Sequence, residues 1–472
     1  MGMLRRKFSS LLWVFSVFTS SVFSIYAQAV EARAPRWPTV GWPIVDTRVL
    51  MNAFVLHDAD RDLGAAEGGE FGGMGILIKP RWMARFNEQW RGELYAQAFY
   101  ASDTVFLDAD EGGHRGHSSD HFLGLRELWL DWSGLSRYPG ESIRFGRERV
   151  KYHDGWWFDT DIEVARWILD TSLLSATFGV AEKVNDFRTG DSALDADEEN
   201  LRRLFGHWRR QYAPHHYVEL RALHTAARGL AVGDPRLRWI YVGVDNGYFD
   251  YRNTPVFSYV LGLQNVRGDA AKNVSNQDAS QGVQRESVMG WAFDVGWRWR
   301  PSVNAPLAIG AHYAYAPGDE QGGFRQTGVH SNRANYTGVR SAMNRFNEAL
   351  RVELFNLQVA SLYMSYGVRE GRGDSKWDVS AVYQHYTLDK PELGWMAQGV
   401  SDGVLANDDR TARTLGDGVD LMMSWYWNET AHMLPGWLRV RLSGFFMDAA
   451  VADARNLDAT RTRAVLDWVV QW

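Results

Sequence analysis

An all-β transmembrane barrel of about eighteen antiparallel strands in a single chain is the fold class that three observations predict. Apolar and polar residues alternate with period two from about residue 40 to the last residue, and no long stretch carries helical periodicity. The clearest hairpin gathers aromatic residues toward its strand ends, as expected where a barrel crosses the two bilayer interfaces. The final segment, RTRAVLDWVVQW, is amphipathic and stops on Trp472.

The N-terminal residues are a separate element. Arg5, Arg6 and Lys7 precede an apolar, serine-rich stretch that ends in small residues around Ala27-Gln28-Ala29. This three-part layout predicts a secretory signal peptide over residues 1–29 and an outer-membrane barrel over residues 30–472. Beyond that point there is no run of eighteen apolar residues, so a helical membrane span is not expected. A barrel strand needs only about ten residues of alternating character, which average hydropathy does not register.

The hairpin from Phe293 to Tyr315 defines the faces. Phe293, Val295, Trp297 and Trp299 alternate with Asp294, Gly296, Arg298 and Arg300; after the turn PSVNAP, Leu307, Ile309, Ala311, Tyr313 and Tyr315 alternate with small residues and His312. Compact turns such as PSVNAP and SGLSRYPGES fit the periplasmic side. Longer polar segments fit the outside: Asp108 to Asp120, Thr189 to Asn200, Asp269 to Arg285, Gly318 to Asn335 and Met396 to Thr414. At roughly 24 residues per strand with its share of loop, the mature chain supplies about eighteen strands and leaves no segment long enough for a plug. In the last strand Ala464, Leu466, Trp468, Val470 and Trp472 share the lipid face.

Charge and composition narrow the chemistry. The chain has no cysteine, which excludes thiolate nucleophiles, thiolate metal sites and disulfides. A net charge of −6 gives no global attraction for a polyanion, so any such attraction must be local. Arginine outnumbers lysine 44 to 7, and the guanidinium fork matches carboxylates. In GWLRVRLSGFF, Leu438, Val440 and Leu442 alternate with Arg439, Arg441 and Ser443. In EALRVELFNLQ, Leu350, Val352 and Leu354 alternate with Arg351 and Glu353. Both phases turn arginines to the lumen, because a cation at the lipid midplane costs about 2–4 kcal/mol. Arg147 and Arg149 share a face with Ile143 and Phe145, so an inward direction requires a bulge at Gly146. Asp159 and Asp161 on the following strand, and Arg126 with Glu127 on the preceding one, complete a set of lumen charges.

Other motifs predict little. Asp58, Asp60 and Asp62 imitate a calcium loop whose glycine and last carboxylate are missing, and His114, His117 and His121 sit in an acidic loop without fixed geometry. No serine–histidine spacing selects a catalytic pair, and no phosphate-loop context surrounds GEFGGMG. The expectations are therefore no enzyme, no catalytic residue, no cofactor, no metal and no nucleic acid. The acidic loop from Asp108 to Asp120 is a candidate gate over the pore mouth.

Several long strings, DRDLGAAEGG, LRELWLDWSGLSRYPGESIRFGRERV, DTDIEVARW, LLSATFGVAEKVNDFRT, QYAPHH, RQTGVHSNRANYTGVRS and NRFNEALRVELFNLQ, are spread over most of the mature chain. In them the sequence resembles the alginate export porins. The resemblance implies a monomeric eighteen-stranded barrel that secretes alginate, a mannuronate–guluronate polymer, together with periplasmic proteins of the synthesis and secretion complex. It also implies an electropositive constriction, matched here by Lys79, Arg126, Arg149, Arg351, Arg439 and Arg441, with Asp159 among the acidic partners. Lys79 and Ala342 depart from the arginines expected there, and the turn from Trp427 to Leu438 is short for the family. An uptake porin for small organic or sugar acids would use the same arginine ladder.

Overall fold

The computed structural model describes residues 43–59, 63, 71–107, 117–190, 194, 198, 200–227, 236–250, 255–271, 285–302, 305–319, 323–367, 377–395, 412–428, 434–455 and 457–472. The expected signal peptide, the gate loop apart from its last strand residues, and the segment 396–411 lie outside them. Val45–Trp472 form one compact unit.

Eighteen strands make the wall. They are β1 (Ile44–Ala59), β2 (Phe71–Arg85), β3 (Trp90–Leu107), β4 (His117–Trp132), β5 (Glu141–Lys151), β6 (Asp159–Asp170), β7 (Leu174–Glu182), β8 (Leu201–Ala213), β9 (His216–Ala227), β10 (Arg236–Asp245), β11 (Phe257–Ala271), β12 (Arg285–Trp299) and β13 (Leu307–Ala316). After the two-residue strands β14 (Arg333–Ala334) and β15 (Met343–Asn344), the wall resumes with β16 (Leu357–Tyr366), β17 (Trp377–Leu388), β18 (Thr414–Trp427), β19 (Gly436–Met447) and β20 (Thr460–Gln471). Sequence neighbours pair antiparallel throughout, and β20 pairs with β1 from Leu50↔Gln471 to Ala59↔Thr462, which closes the barrel. Closure leaves no free edge, the condition for a sheet to survive in lipid. No described helix is long and apolar enough to cross a membrane.

Alternation fixes the faces. The expected hairpin pairs in register, Phe293↔Tyr315 to Trp299↔Ile309, with Val295, Trp297 and Trp299 exposed and Asp294 and Arg298 buried inside. Leu442 on β19 faces out while Arg441 and Ser443 face in, and Trp472 is exposed at the end of the last strand. Aromatic pairs band the short-turn end, including Tyr366 stacked on Trp377 at 4.9 Å and Trp425 beside Trp427 at 5.7 Å. Short turns such as 86–89, 171–173 and 214–215 share this end with the C-terminus, so it is the periplasmic one.

The lumen is not empty, and here three expectations are corrected. β13 pairs directly with β16, from Leu307↔Tyr366 to Ala316↔Leu357, so the described residues 317–319 and 323–356 stand outside the wall. They enter the lumen from the long-loop end: Phe324, Val329, Tyr336, Phe346, Leu350, Val352 and Leu354 are buried in clusters with inward wall residues such as Trp239, Val266 and Tyr386. The span Gly318 to Asn335 is thus no external loop, the chain does carry a lumen-filling segment, and EALRVELFNLQ is no wall strand before Leu357. Left-handed backbone at Asn347, Arg351 and Asn356 breaks the extended run that its alternation implied.

A further correction concerns Gly146. Pairing is continuous through it on both sides, Phe145↔Ala165 to Arg147↔Glu163 on β6 and Leu130↔Phe145 to Leu128↔Arg147 on β4, so there is no bulge. Above these pairs the β5–β6 hairpin leaves both wall neighbours and pairs only with itself, as far as Lys151↔Asp159. The wall closes in front of it: Leu125 N–H donates to Phe187 O, Thr189 N–H donates to Leu123 O, and Gly124 bridges Arg188. Arg147 therefore comes inside because the whole hairpin steps behind the wall. Gly146 is the departure point, with φ +127° and a would-be Cβ only 2.3 Å from Leu128 O, which only glycine accommodates. The hairpin tip, with Trp156, Trp157 and Phe158 buried, meets the lumen segment through Ser331 and Asn332 N–H groups donating to Gly155 O.

Candidate functional site

The inward step gives the β5–β6 hairpin two distinct faces. Val150, Ile162 and Val164 point into the lumen core, while the odd-numbered residues face the inner wall. Those residues form a charge ladder in register, Arg147↔Glu163, Arg149↔Asp161 and Lys151↔Asp159. Arg147 donates to Glu163 at 2.6 Å, Arg149 to Asp159 at 2.7 Å, and Lys151 lies 3.0 Å from Asp159. Ser331 of the lumen segment donates its hydroxyl to Asp159 at 2.6 Å.

Across from the ladder stands the wall of β2, β3 and β4. A register shift between Tyr95↔Glu127 and Ala96↔Leu125 makes Arg126 an extra residue, so Arg126 and its neighbour Glu127 both turn inward. Arg126 forks onto Asp161 at 2.9 and 3.2 Å. Arg81 forks onto Glu93 at 2.6 and 2.8 Å, and the guanidiniums of Arg81 and Arg126 each lie 5.7 Å from the Tyr95 ring. Glu127 accepts from the Trp129 indole, and Lys79, half-buried, shares the inward face with Leu77 and Arg81.

The same band continues on β19 and β20. Arg441 is paired with Asp467 at 2.9 Å, and Asn52 of β1 also donates to that carboxylate. Arg439, half-buried, forms no hydrogen bond or ion pair with a described residue. The lumen segment ties the two halves together: Ala349 N–H donates to Ser443, next to Arg441 on the inward face. Arg351 and Arg333 flank Glu348 at 3.5 and 3.1 Å, with Glu348 N–H on Asp420.

The structure places Lys79, Arg126 and Glu127 on the inner side of β2 and β4, Arg147, Arg149 and Asp159 on the facing hairpin, Arg439 and Arg441 on the inner side of β19, and Arg351 on the inserted segment and not on a strand. Sequence reasoning did not assign Lys151, Arg333, Glu163 and Glu348. Lys151 and Glu163 were legible as the same odd phase; Arg333 and Glu348 lie in irregular backbone that carries no periodic signal.

Exposure differs among the inward cations. In the band, Arg81 and Lys151 side chains remain 39% and 40% exposed although they point inward. On the β9–β12 side, Arg221 and Arg298 are fully buried, with Arg221 clamped by Asp154 and Glu219 and Arg298 donating to the backbone carbonyls of Tyr248 and Tyr336. Of these inward cations Arg81 on β2 and Lys151 on the ladder are thus the more exposed, whereas Arg126 and Arg147 beside them are buried like Arg221 and Arg298. The β9–β12 side also holds His153, Glu219 and Asp245, whose ligand atoms lie within 4.8 Å of one another. Burial pushes the His153 imidazole below its usual value against the pull of Glu219. Both carboxylates are already held by guanidiniums, Glu219 by Arg221 and Asp245 by Arg209 at 2.8 Å, so a cation there would have to displace them.

Comparison with known proteins agrees with this architecture. The family model described as Alginate export matches residues 57–464. The alginate production protein AlgE of Pseudomonas aeruginosa is 30% identical over 451 residues, covering 87% of this chain and 88% of that protein. The protein of the same name from Pseudomonas syringae pv. tomato is 30% identical over 469 residues, covering 89% and 92%. Among solved structures, Pseudomonas aeruginosa OccK8 (OprE) aligns with TM-score 0.57 at 10% identity over 91% of this chain and 98% of that one. OccK9 (OpdG) of the same organism aligns equally well at 12% identity, a likeness of fold alone.

Proposed function

Because the chain belongs to the alginate export family, we propose that alginate leaves the cell through this outer-membrane barrel past the charged residues Lys79, Arg126, Glu127, Arg147, Arg149, Asp159, Arg351, Arg439 and Arg441, of which Lys79, Glu127, Arg149 and Arg439 are partly exposed and the others buried. A uronate polymer carries about one carboxylate per sugar, and cations spaced at intervals let it exchange partners without one deep minimum. The observation that carries the reading is Arg439, an inward-facing cation that makes no hydrogen bond or ion pair with a described residue and faces the carboxylate of Asp467 across the strands, which Arg441 already holds. Its neighbours are paired: Arg126, Arg149 and Arg441 each hold a carboxylate that keeps the guanidinium oriented and limits how firmly a polyanion binds.

Residues 1–29 act as a signal peptide in this account, and the mature barrel works as a monomeric channel without catalysis or cofactor. Periplasmic proteins of the synthesis machinery deliver polymer to the short-turn end. Uptake of small organic or sugar acids would use the same ladder; family membership favours export.

In planar bilayers the purified protein is expected to be anion-selective and to be blocked by uronate oligomers. Arg439→Ala is expected to weaken block by about ten-fold, the loss of one charge-assisted contact, while neutral glucan oligomers affect wild type and variant alike. A cation-selective or indifferent channel would remove the arginine band from the mechanism.

A further inference from the structure

Where the β5–β6 hairpin steps inward, the outer surface of the wall is left with a depression of about 610 Å3. Gly146, Ala165, Val180, Leu204 and Ala226 contribute apolar surface to its lining, which is mostly apolar, and the charged residues Glu163, Glu182, Arg202 and Arg203 border it. It opens to the bilayer and not to the lumen: Val180 and Leu204 are 54% and 58% exposed on the same outward face as Phe178.

Beside the depression the outward face becomes cationic. Register places Leu204, His224, Arg238 and Arg267 in one row across β8, β9, β10 and β11. At 4.7–4.9 Å per strand this row spans about 14 Å. The next row toward the long-loop end holds Arg202, Ala226, Arg236 and Asp269. The next outward row holds Ile240 and Asn265 and the one after it Val242 and Leu263, with Ile240 and Leu263 each more than half exposed, so the arginines sit where the outer apolar belt gives way to headgroups.

Two of these cations are held at a disadvantage. Arg238 and Arg267 are direct cross-strand partners, and like charges in that position repel. Arg202 has Glu182 at 3.2 Å, but neither Arg238 nor Arg267 forms an ion pair with a described residue; Arg267 donates to Met289 Sδ at 3.6 Å. An external anion lying between the two guanidiniums would relieve the repulsion.

We propose that this depression and its arginine row bind one phosphorylated amphiphile of the outer leaflet, with acyl chain against Val180 and Leu204 and phosphate on Arg238 and Arg267. The apolar hollow is the feature a free anion would not use. A lipid seated there covers the place where the wall is interrupted by the hairpin's departure, and so supports the wall against which the export band is built.

The test is native mass spectrometry of the detergent-purified barrel incubated with a diphosphorylated glycolipid, with phosphatidylcholine or with inorganic phosphate. Retention of one diphosphorylated glycolipid, but of neither control, is expected. Arg238→Glu combined with Arg267→Glu should weaken retention by at least about thirty-fold, and Leu204→Asn should weaken it without any change of charge. Both variants are expected to keep wild-type anion selectivity in bilayers, which reports that the barrel is folded and separates this proposal from the export reading. Undiminished retention in the double variant would overturn the proposal. So would competition by millimolar inorganic phosphate, because the site would then be one for a free anion.

Discussion

Replacing residues 320–353 with a short glycine–serine connection should raise single-channel conductance several-fold, because an eighteen-stranded wall without an inserted segment encloses an aqueous channel. The wall does not depend on the segment for closure, since β13 and β16 pair directly over their whole length. What the segment contributes is a filling: its apolar residues share clusters with inward wall residues, and its backbone is pinned to β18 and β19 through Asp420 and Ser443. Deletion should also flatten the dependence of block on Arg439, because a uronate chain in a wide lumen no longer has to pass beside that cation. Unchanged conductance in a variant whose migration on gels remains heat-modifiable would mean that the segment does not occupy the conducting path.

The largest effect on stability is expected at Arg126. Both it and Asp161 are almost fully buried, and they are joined by a two-pronged contact. Removing one partner of a buried pair leaves a charge without compensation, at a cost of about 3–5 kcal/mol. Arg126→Met should therefore lower the urea midpoint strongly, and Asp161→Asn in the same background should recover most of the loss, since the orphaned charge is then gone. The pair also holds the hairpin against β4, so Arg126→Met alone should disturb Arg149 and the conductance, whereas the double variant should restore the fold while leaving the band with one cation fewer. A double variant no more stable than Arg126→Met would show that the pair is not what fastens the hairpin.

Much of the wall is legible in the residues because a barrel strand has one lipid face and one lumen face, and period two records both. The hairpin from Phe293 to Tyr315, the phase of Arg439 and Arg441, and the outward set ending at Trp472 all follow from that rule. The same rule cannot tell when a paired hairpin leaves the wall. Arg147 and Arg149 keep the phase of Phe145, and alternation was obeyed; what changed is that another stretch of chain closed in front of them. A bulge at Gly146 was the wrong remedy for an apparent inconsistency that had a topological cause.

Arg351 illustrates a second limit. Leu350, Val352 and Leu354 alternate with charged residues as a wall strand would, yet all three are buried inside, and Arg351 itself has φ +53°. A segment packed within a lumen meets apolar and polar partners on every side, so its pattern carries no single direction. The asparagines at 347 and 356, which tolerate left-handed backbone, were the available sign that the run is not extended. Arg126 beside Glu127 is the converse case: two consecutive charges on an amphipathic strand fit one lumen only if the strand carries an extra residue, and the register shift is there.

The central claim is that an acidic polymer passes through this barrel beside the arginine band, which binding or block alone does not establish. The most direct measurement is release of uronate oligomers preloaded in proteoliposomes, compared with neutral glucans of equal length, for the wild type and for Arg439→Ala. The account predicts that uronates escape faster than glucans from wild-type vesicles and that the advantage shrinks in the variant. Equal escape of both polymers, or an unaltered uronate advantage in Arg439→Ala, would contradict it.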